Sequence, residues 1–285
     1  MKLIKKDNPS LVYLYEVRYT KLQKCTQDPG FVFYDIKDSN NPALREYPVF
    51  LRFANDILFS DQNLYGLFSP RFNQKTNLSS KYIKSFIYEY PGKDIYLFHP
   101  YPYELSITND FLRLAEFEHP GIIDEINKFW NYLYDRDAPN IEIPKYLIYC
   151  CHCNYFVANG FFWKKYKDFI NKFREYCESK ESNFIFHETD YNLSLNSIKS
   201  LPLLVFIFER LLTCFLVENF NTFNVVNYML SDRWEPREIF DGEISYVQEL
   251  RKNLLWGSVL GLEDKAAGIA VEKYFNFRKS KFSME

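Results

Sequence analysis

Two periods of apolar and polar residues alternate along the first hundred positions. Leu11-Val12-Tyr13-Leu14-Tyr15-Glu16-Val17 and Phe31-Val32-Phe33-Tyr34 are short runs rich in β-branched and aromatic side chains, which predicts strands. Asp38-Ser39-Asn40-Asn41-Pro42 reads as a loop. Beyond it, apolar residues at 50, 51, 53, 54, 57 and 58 follow helical spacing and predict a helix over 43–58, with Pro48 in its first turn. Leu64-Tyr65-Gly66-Leu67-Phe68 predicts a strand that stops at Ser69-Pro70-Arg71. Leu78-Ser79-Ser80 supplies an N-cap for a helix over about 80–89. Pro91-Gly92-Lys93 is a turn, and Asp94-Ile95-Tyr96-Leu97-Phe98 predicts a strand ended by His99-Pro100. Strand and helix alternate throughout, which predicts an α/β sheet with parallel pairs.

The pattern turns more helical afterwards. Helices are predicted at about 109–117 and 121–134, and a strand from Tyr146-Leu147-Ile148-Tyr149-Cys150 into Asn154-Tyr155-Phe156-Val157-Ala158. Residues 160–179 form an amphipathic helix with rings at 162, 163, 166, 169 and 173. The most apolar stretch, Leu201 to Val217, is interrupted by Glu209-Arg210. A membrane span needs about 20 mostly apolar residues, so this segment reads as a buried helix over 202–218. The last fifty residues mix turns and helix, and close in Lys273-Tyr274-Phe275-Asn276-Phe277-Arg278-Lys279. No repeat or linker is evident, and one domain is the simpler reading.

Composition narrows the function classes. With 47% apolar and 25% charged residues in 285, wholesale disorder is excluded. Rings make up 19% of the chain, enough to fill a core and still line a cleft. Only 9 glycines argue against repeated Gly-rich phosphate loops. A net charge of −2, from 35 basic and 37 acidic side chains, argues against nucleic acid as a partner. Six cysteines make no disulfide framework, and Met1-Lys2-Leu3-Ile4-Lys5-Lys6-Asp7 lacks the apolar stretch of a secretion signal. A cytoplasmic protein is expected.

Several short motifs offer chemistry, each beside a plainer reading. Cys150-Cys151-His152-Cys153 invites zinc, but ligands normally come in spaced pairs, and consecutive strand residues point to opposite faces. Structural burial is the expectation there. Asp135-Arg136-Asp137 matches D-x-D, in which alternate carboxylates hold Mn²⁺ or Mg²⁺ against a nucleotide diphosphate; the plainer reading is an exposed acidic loop. Arg71 follows a strand end, the usual place for ligand contacts in an α/β sheet, and is either a phosphate fork or a surface arginine. His99 follows the next strand and either binds a hydroxyl or phosphate oxygen or is structural. Glu209-Arg210 inside an apolar helix is either a structural ion-pair network or the wall of an active site, where shelter tunes a catalytic carboxyl. Neither G-x-S-x-G nor a Walker or G-x-G-x-x-G loop occurs.

A longer series carries a resemblance. It runs Glu46-Tyr47-Pro48-Val49, Leu64-Tyr65-Gly66-Leu67-Phe68-Ser69-Pro70-Arg71-Phe72, Asp94-Ile95-Tyr96-Leu97-Phe98-His99-Pro100, Glu118-His119-Pro120-Gly121, Cys153-Asn154-Tyr155-Phe156-Val157-Ala158 and Phe208-Glu209-Arg210-Leu211-Leu212. Over about residues 10–220 this resembles bacterial glycosyltransferase-like proteins encoded with capsule and O-antigen synthesis. The resemblance implies a single GT-A-like α/β domain over 1–232, its central sheet mostly parallel and flanked by helices. A helical C-terminal extension over 233–285 would pack on it. The strand at 94–98 ends in His-Pro where that family has D-x-D, which leaves metal dependence open.

The implied activity is transfer of a sugar from a nucleotide-sugar donor to a bacterial surface polysaccharide or lipid-linked glycan. Arg18, Tyr19, Arg71, His99 and Arg210 are expected toward the donor, with Arg71 facing the diphosphate whose charge grows as the glycosidic bond breaks. Glu46, Tyr47 and Asn154 are expected toward the acceptor, and Glu209 is the candidate general base. The tail from Lys273 to Phe282 is either a contact with the anionic inner-membrane face or an ordinary packed helix. A non-catalytic glycan-binding or assembly protein on the same fold is the alternative. A phosphotransferase is weakened by the missing Walker loop.

Overall fold

A parallel trio of strands starts the sheet. In the computed structural model, β1 (Val12–Arg18) pairs in parallel with β2 (Val32–Asp35) on one side and β3 (Leu64–Phe68) on the other. The residues described are 11–19, 28–36, 44–100, 111–134, 149–179, 188–190, 200–230, 242–259 and 263–282. The runs predicted as strands at 11–17, 31–34 and 64–68 are strands, the last with the expected bounds.

β4 (Ile95–Leu97) and β8 (Val225–Asn227) form a second parallel pair. Between β3 and β4 runs β5 (Phe156–Asn159), antiparallel to both, with Gly66 opposite Val157 and Leu97 opposite Phe156. The order is β2-β1-β3-β5-β4-β8, so the central sheet is mixed, and this corrects the expected mostly parallel one. A strand inserted against its neighbours is a non-local event that no local pattern encodes. The predicted strand from 146 into 154–158 is corrected as well, since His152–Asn154 form a 3₁₀ turn and extended pairing starts only at Phe156. Residues 135–148 lie outside the described part.

Helices follow their apolar faces. α1 (Tyr47–Asp56) starts four residues later than predicted, with Pro48 in its first turn, where a missing N–H does no harm. α2 (Phe72–Thr76) is a single turn that the pattern does not predict. α3 (Ser80–Glu89) is capped by the Ser79 hydroxyl, which accepts from the Tyr82 N–H. α4 (Phe111–Glu118), α5 (Ile122–Tyr134), α6 (Gly160–Glu178) and α7 (Leu203–Glu218) lie where helices are predicted. α8 (Glu243–Val259) and α9 (Glu263–Phe282) make the C-terminal part helical, as expected, and β6 (Glu188–Asp190) pairs antiparallel with β7 (Ser200–Pro202). Among the described residues no helix is long and apolar enough to cross a membrane.

The chain divides into two units: 1–100, 148–182 and 208–233 form one, and 101–147, 183–207 and 234–285 the other. The boundary at 232/233 stays an expectation beside this division.

The first unit holds the six-stranded sheet. Its core is aromatic: the Trp163 indole stacks on Phe59 at 5.2 Å, lies within 6.2 Å of the Phe50, Phe53 and Phe156 rings, and donates to the Tyr65 carbonyl at 2.9 Å. Satisfying the indole N–H lets so large a ring be buried without an orphaned donor. In the second unit, Tyr274 and Phe275 of α9 pack with Leu114 of α4 and Val247 and Leu250 of α8. The Tyr274 hydroxyl donates to the buried Glu243 carboxylate at 2.6 Å, and Tyr246 stacks on Phe277 at 4.6 Å. Tyr274, Phe275 and Phe277 are therefore engaged within the unit, whereas Lys273 and Asn276 are exposed.

Gly66 lies where β3 meets β5. A Cβ there would sit 2.7 Å from the Phe68 ring, 2.8 Å from Val157 Cγ2 and 3.0 Å from the Phe156 carbonyl oxygen. Gly66→Ala is expected to destabilise by about 1–3 kcal/mol through overpacking, measured as a lower urea midpoint at unchanged slope. A midpoint equal to the parent's would show that the β3–β5 seam has slack.

Candidate functional site

The antiparallel course of β5 places its leading turn at the carboxyl ends of β3 and β4. The Phe98 N–H donates to the Tyr155 carbonyl at 2.8 Å, and the Tyr155 hydroxyl lies 2.6 Å from Ser69 Oγ, just past the end of β3. Cys153 and Asn154 both take left-handed backbone, with φ of 61° and 52°. Each such non-glycine residue costs about 1–2 kcal/mol, and such strain concentrates at functional sites.

Polar groups converge on this edge from several elements. Glu46 precedes α1; its carboxyl Oε2 is buried and finds no hydrogen-bond partner among the described residues. Burial, then the charge of Glu209, push Glu46 up to about 8, against the pull of Lys75, a hydrogen bond from Ser69 and Arg45. Glu46 is therefore protonated at neutral pH. With the Ser69 proton given to Glu46, the Tyr155 hydroxyl donates to Ser69, so one orientation serves both contacts. The Lys75 ammonium donates to Cys153 Sγ at 3.1 Å and lies 5.8 Å over the Tyr155 ring. Burial raises the Tyr155 hydroxyl and the Cys153 thiol well above their ordinary values, so both stay protonated.

The sequence-predicted residues divide by where their side chains go. Glu209, on α7, is partly exposed, and its Oε2 accepts from Arg210 Nη1 at 3.0 Å. That contact pairs the two, which both expected alternatives, a structural network and an active-site wall, allow. Tyr19 is raised by burial and then by Glu46, which places its phenol near the same carboxyl. Asn154 is fully buried in the turn; its Nδ2 donates to the Phe208 carbonyl at 3.5 Å, and its Oδ1 has no partner among the described residues. Arg71 begins α2, partly exposed, and donates to Gln74 Oε1 at 3.3 Å.

Others point elsewhere. Tyr47 follows Glu46 directly, yet its ring packs on Phe173 and Phe208 in the core, and burial followed by Cys177 raises its phenol. Arg18 forms a two-point ion pair with Asp35 across the β1–β2 register, with the Phe33 ring beneath its guanidinium. His99 is buried beyond β4, its ring 4.7 Å from that of His152. Asp135 and Asp137, the D-x-D pair, lie outside the described residues. Ser69, Lys75, Cys153 and Tyr155 join the group without having been predicted as site residues. Ser69 and Tyr155 sat inside quoted segments, whereas Lys75, in the one-turn α2, carried no signal.

For a metal, the described residues offer one cluster: His99, Cys150 and His152, all buried, with ligand atoms within 4.8 Å of one another. Chemically, the edge at Glu46 combines a neutral carboxylic acid, a second carboxylate and an ammonium in sheltered surroundings. Such a set can hold a hydroxyl and move its proton. Compared with known proteins, the chain matches no family model, no curated protein and no solved structure.

A proton on buried Glu46 links stability to pH. An acid held protonated in the fold but ionised when unfolded contributes fully below about 4.5, the ordinary value, and loses that contribution as pH rises to about 8. The groups that bear on it are Glu209, Lys75, Arg45, Tyr19 and Ser69. Glu46→Gln keeps the shape and removes the titration. The expected outcome is a variant more stable than the parent at pH 9 by a few kcal/mol, at ~1.4 kcal/mol per tenfold change in proton affinity, with the two converging toward pH 5. Parallel urea-midpoint profiles from pH 5 to 9 would contradict it.

Proposed function

We propose that the chain is a glycosyltransferase with a GT-A-like first unit, moving a sugar from a nucleotide donor to a bacterial surface polysaccharide or lipid-linked glycan at the cytoplasmic face of the inner membrane. The observation that carries the reading is the pairing of buried Glu46 with Glu209 beside Lys75, at the carboxyl ends of β3 and β4. In α/β sheets, ligands gather outside the carboxyl ends of the parallel strands, and β3 and β4 share one direction although β5 between them is antiparallel to both.

Glycosyl transfer needs two things from a protein. One is a group that takes the acceptor hydroxyl's proton as the new bond forms. The other is positive charge where the departing diphosphate gains negative charge. Glu209 suits the first role, being a carboxylate partly open to solvent and oriented by Arg210. Neutral Glu46 donates a hydrogen bond to the same hydroxyl and holds it. Arg71, partly exposed and donating to the neutral side chain of Gln74, suits the second, with Lys75 on the short helix that it caps. Membrane contact would fall to exposed residues of α9 such as Lys273.

One observation favours the glycan-binding or assembly alternative. β3 runs into Ser69-Pro70 and β4 into His99-Pro100, so neither strand ends in the carboxylate pair a divalent ion would need. The two readings part on turnover.

Thermal unfolding against UDP-, GDP-, dTDP- and CMP-sugars, with and without Mn²⁺, tests donor binding. A ligand at about 100 times its Kd adds roughly 2.7 kcal/mol, a shift of several degrees in a chain of this size. One nucleotide family is expected to shift the midpoint, and Arg71→Ala to reduce that shift. Glu209→Gln is expected to keep the shift and lower sugar transfer by about 10²–10⁴-fold. A folded protein that responds to no donor turns the reading to the binding or assembly alternative.

A further inference from the structure

His99 stands just past β4, while Cys150 and His152 flank the start of the turn before β5. Their ligand atoms lie within 4.8 Å of one another, and all three side chains are buried, at 5, 3 and 2% exposure. We propose that these three residues bind a zinc ion, independently of the glycosyltransferase reading. A tetrahedral zinc holds imidazole nitrogen at about 2.0–2.1 Å and thiolate sulfur at about 2.3 Å. Those bonds set neighbouring ligand atoms roughly 3.3–3.7 Å apart.

The backbone that carries the ligands is fixed from three sides. Asn227, at the end of β8, donates through Nδ2 to the Cys150 carbonyl at 2.9 Å, while its Oδ1 accepts from the Met229 N–H at 3.1 Å. The Cys151 N–H donates to Thr213 Oγ1 of α7 at 3.2 Å. Phe98, next to His99, is held by the Tyr155 carbonyl. The imidazole rings are 4.7 Å apart and tilted by 54°, which lets two ring nitrogens address one point.

Two imidazoles and a thiolate select zinc over the hard ions Mg²⁺ and Mn²⁺, which prefer carboxylate and water oxygens. The site is therefore chemically distinct from the D-x-D segment. Binding balances as Cys–SH plus Zn²⁺ giving Cys–S–Zn⁺ plus one released proton. Three protein ligands leave the fourth tetrahedral position to water. Cys-x-His preceded by a histidine 51 positions earlier is not a spaced-pair zinc signature. The turn, rather than a strand, is what allows Cys150 and His152 to reach the same point.

The test uses the full chain. Elemental mass spectrometry of purified protein is expected to show one zinc per chain, removed by a strong chelator with a fall in the thermal midpoint. Cobalt(II) added to the metal-free protein is expected to give the near-ultraviolet thiolate-to-metal charge-transfer band of a cysteine ligand. That band should vanish in Cys150→Ser and persist in Cys177→Ser. Should Cys150→Ser fail to fold, the cobalt band of the parent chain, weakened in His99→Gln, supports the site by itself. No bound zinc and no charge-transfer band overturns the proposal. So does a band that survives Cys150→Ser, or stoichiometric copper or iron in place of zinc.

Discussion

One strand running against its neighbours organises the first unit. Because β5 is antiparallel to β3 and β4, its leading turn arrives where those two strands end, and everything polar at that edge follows. Had β5 run parallel, the turn would lie at the opposite edge, and neither Ser69 nor His99 could meet it. The geometry has a local cost, since Cys153 and Asn154 must be left-handed. Asparagine accepts that conformation more readily than most residues, but cysteine has no such excuse. Bonds from the turn to α7 and α2 offset the strain: Cys151 to Thr213, Asn154 to the Phe208 carbonyl and Lys75 to Cys153.

Two glutamates meet at this edge and settle differently. Glu46 is buried, and an ionised carboxylate there would lose its hydration with only partial return from Lys75 and Ser69. Keeping its proton is the lower-energy solution. Glu209 stands partly in solvent with Arg210 against it, so its negative charge has both water and a cation. Pairs of like groups separated by their surroundings supply acid and base from one residue type. The same charges serve the fold poorly. Arg210 is nearly fully buried, and an ion pair with one partner so buried seldom stabilises more than a well-packed apolar pair would. The role proposed for Glu209 would account for such an arrangement.

Local pattern carried most of the elements and little of their arrangement. Leu64–Phe68, Ser80–Glu89 and Leu203–Glu218 declare themselves through alternation, a serine cap or an apolar run, each complete within its own segment. The turn at 152–154 does not, because cysteines and rings look strand-like and a positive φ leaves no composition trace. Reading that turn as strand also made the C-C-H-C run look incapable of binding metal, when its relevant partner, His99, comes from another strand end. Within the candidate site, Glu209 was legible as a charge inside an apolar helix, whereas Glu46, Tyr19 and Asn154 were named through the resemblance and not through any local pattern. Tyr47 was named the same way but packs in the core, since adjacent helical residues point about 100° apart, and its neighbour's position says nothing of its own. Lys75 lay in a helix of five residues, too short for any period to register.

The cations at the strand ends differ in what already holds them, and that ranks them as anchors for an anionic ligand. Arg18 is gripped at two points by Asp35, with a ring under the guanidinium. A diphosphate arriving there must displace a charge-assisted, bidentate partner and leave a carboxylate facing its own negative charge. Lys75 faces a thiol and a ring inside the cluster, and its charge helps keep Glu46 from rising further. Withdrawing it would raise that carboxyl and change the acid–base pair. Arg71 gives up only a bond of 3.3 Å to a neutral amide at a partly exposed position. Moving that guanidinium onto phosphate exchanges a weak neutral contact for a charged one and disturbs nothing buried. Of the three, Arg71 is the one whose recruitment both breaks no ion pair and leaves Glu46 and Glu209 as they are.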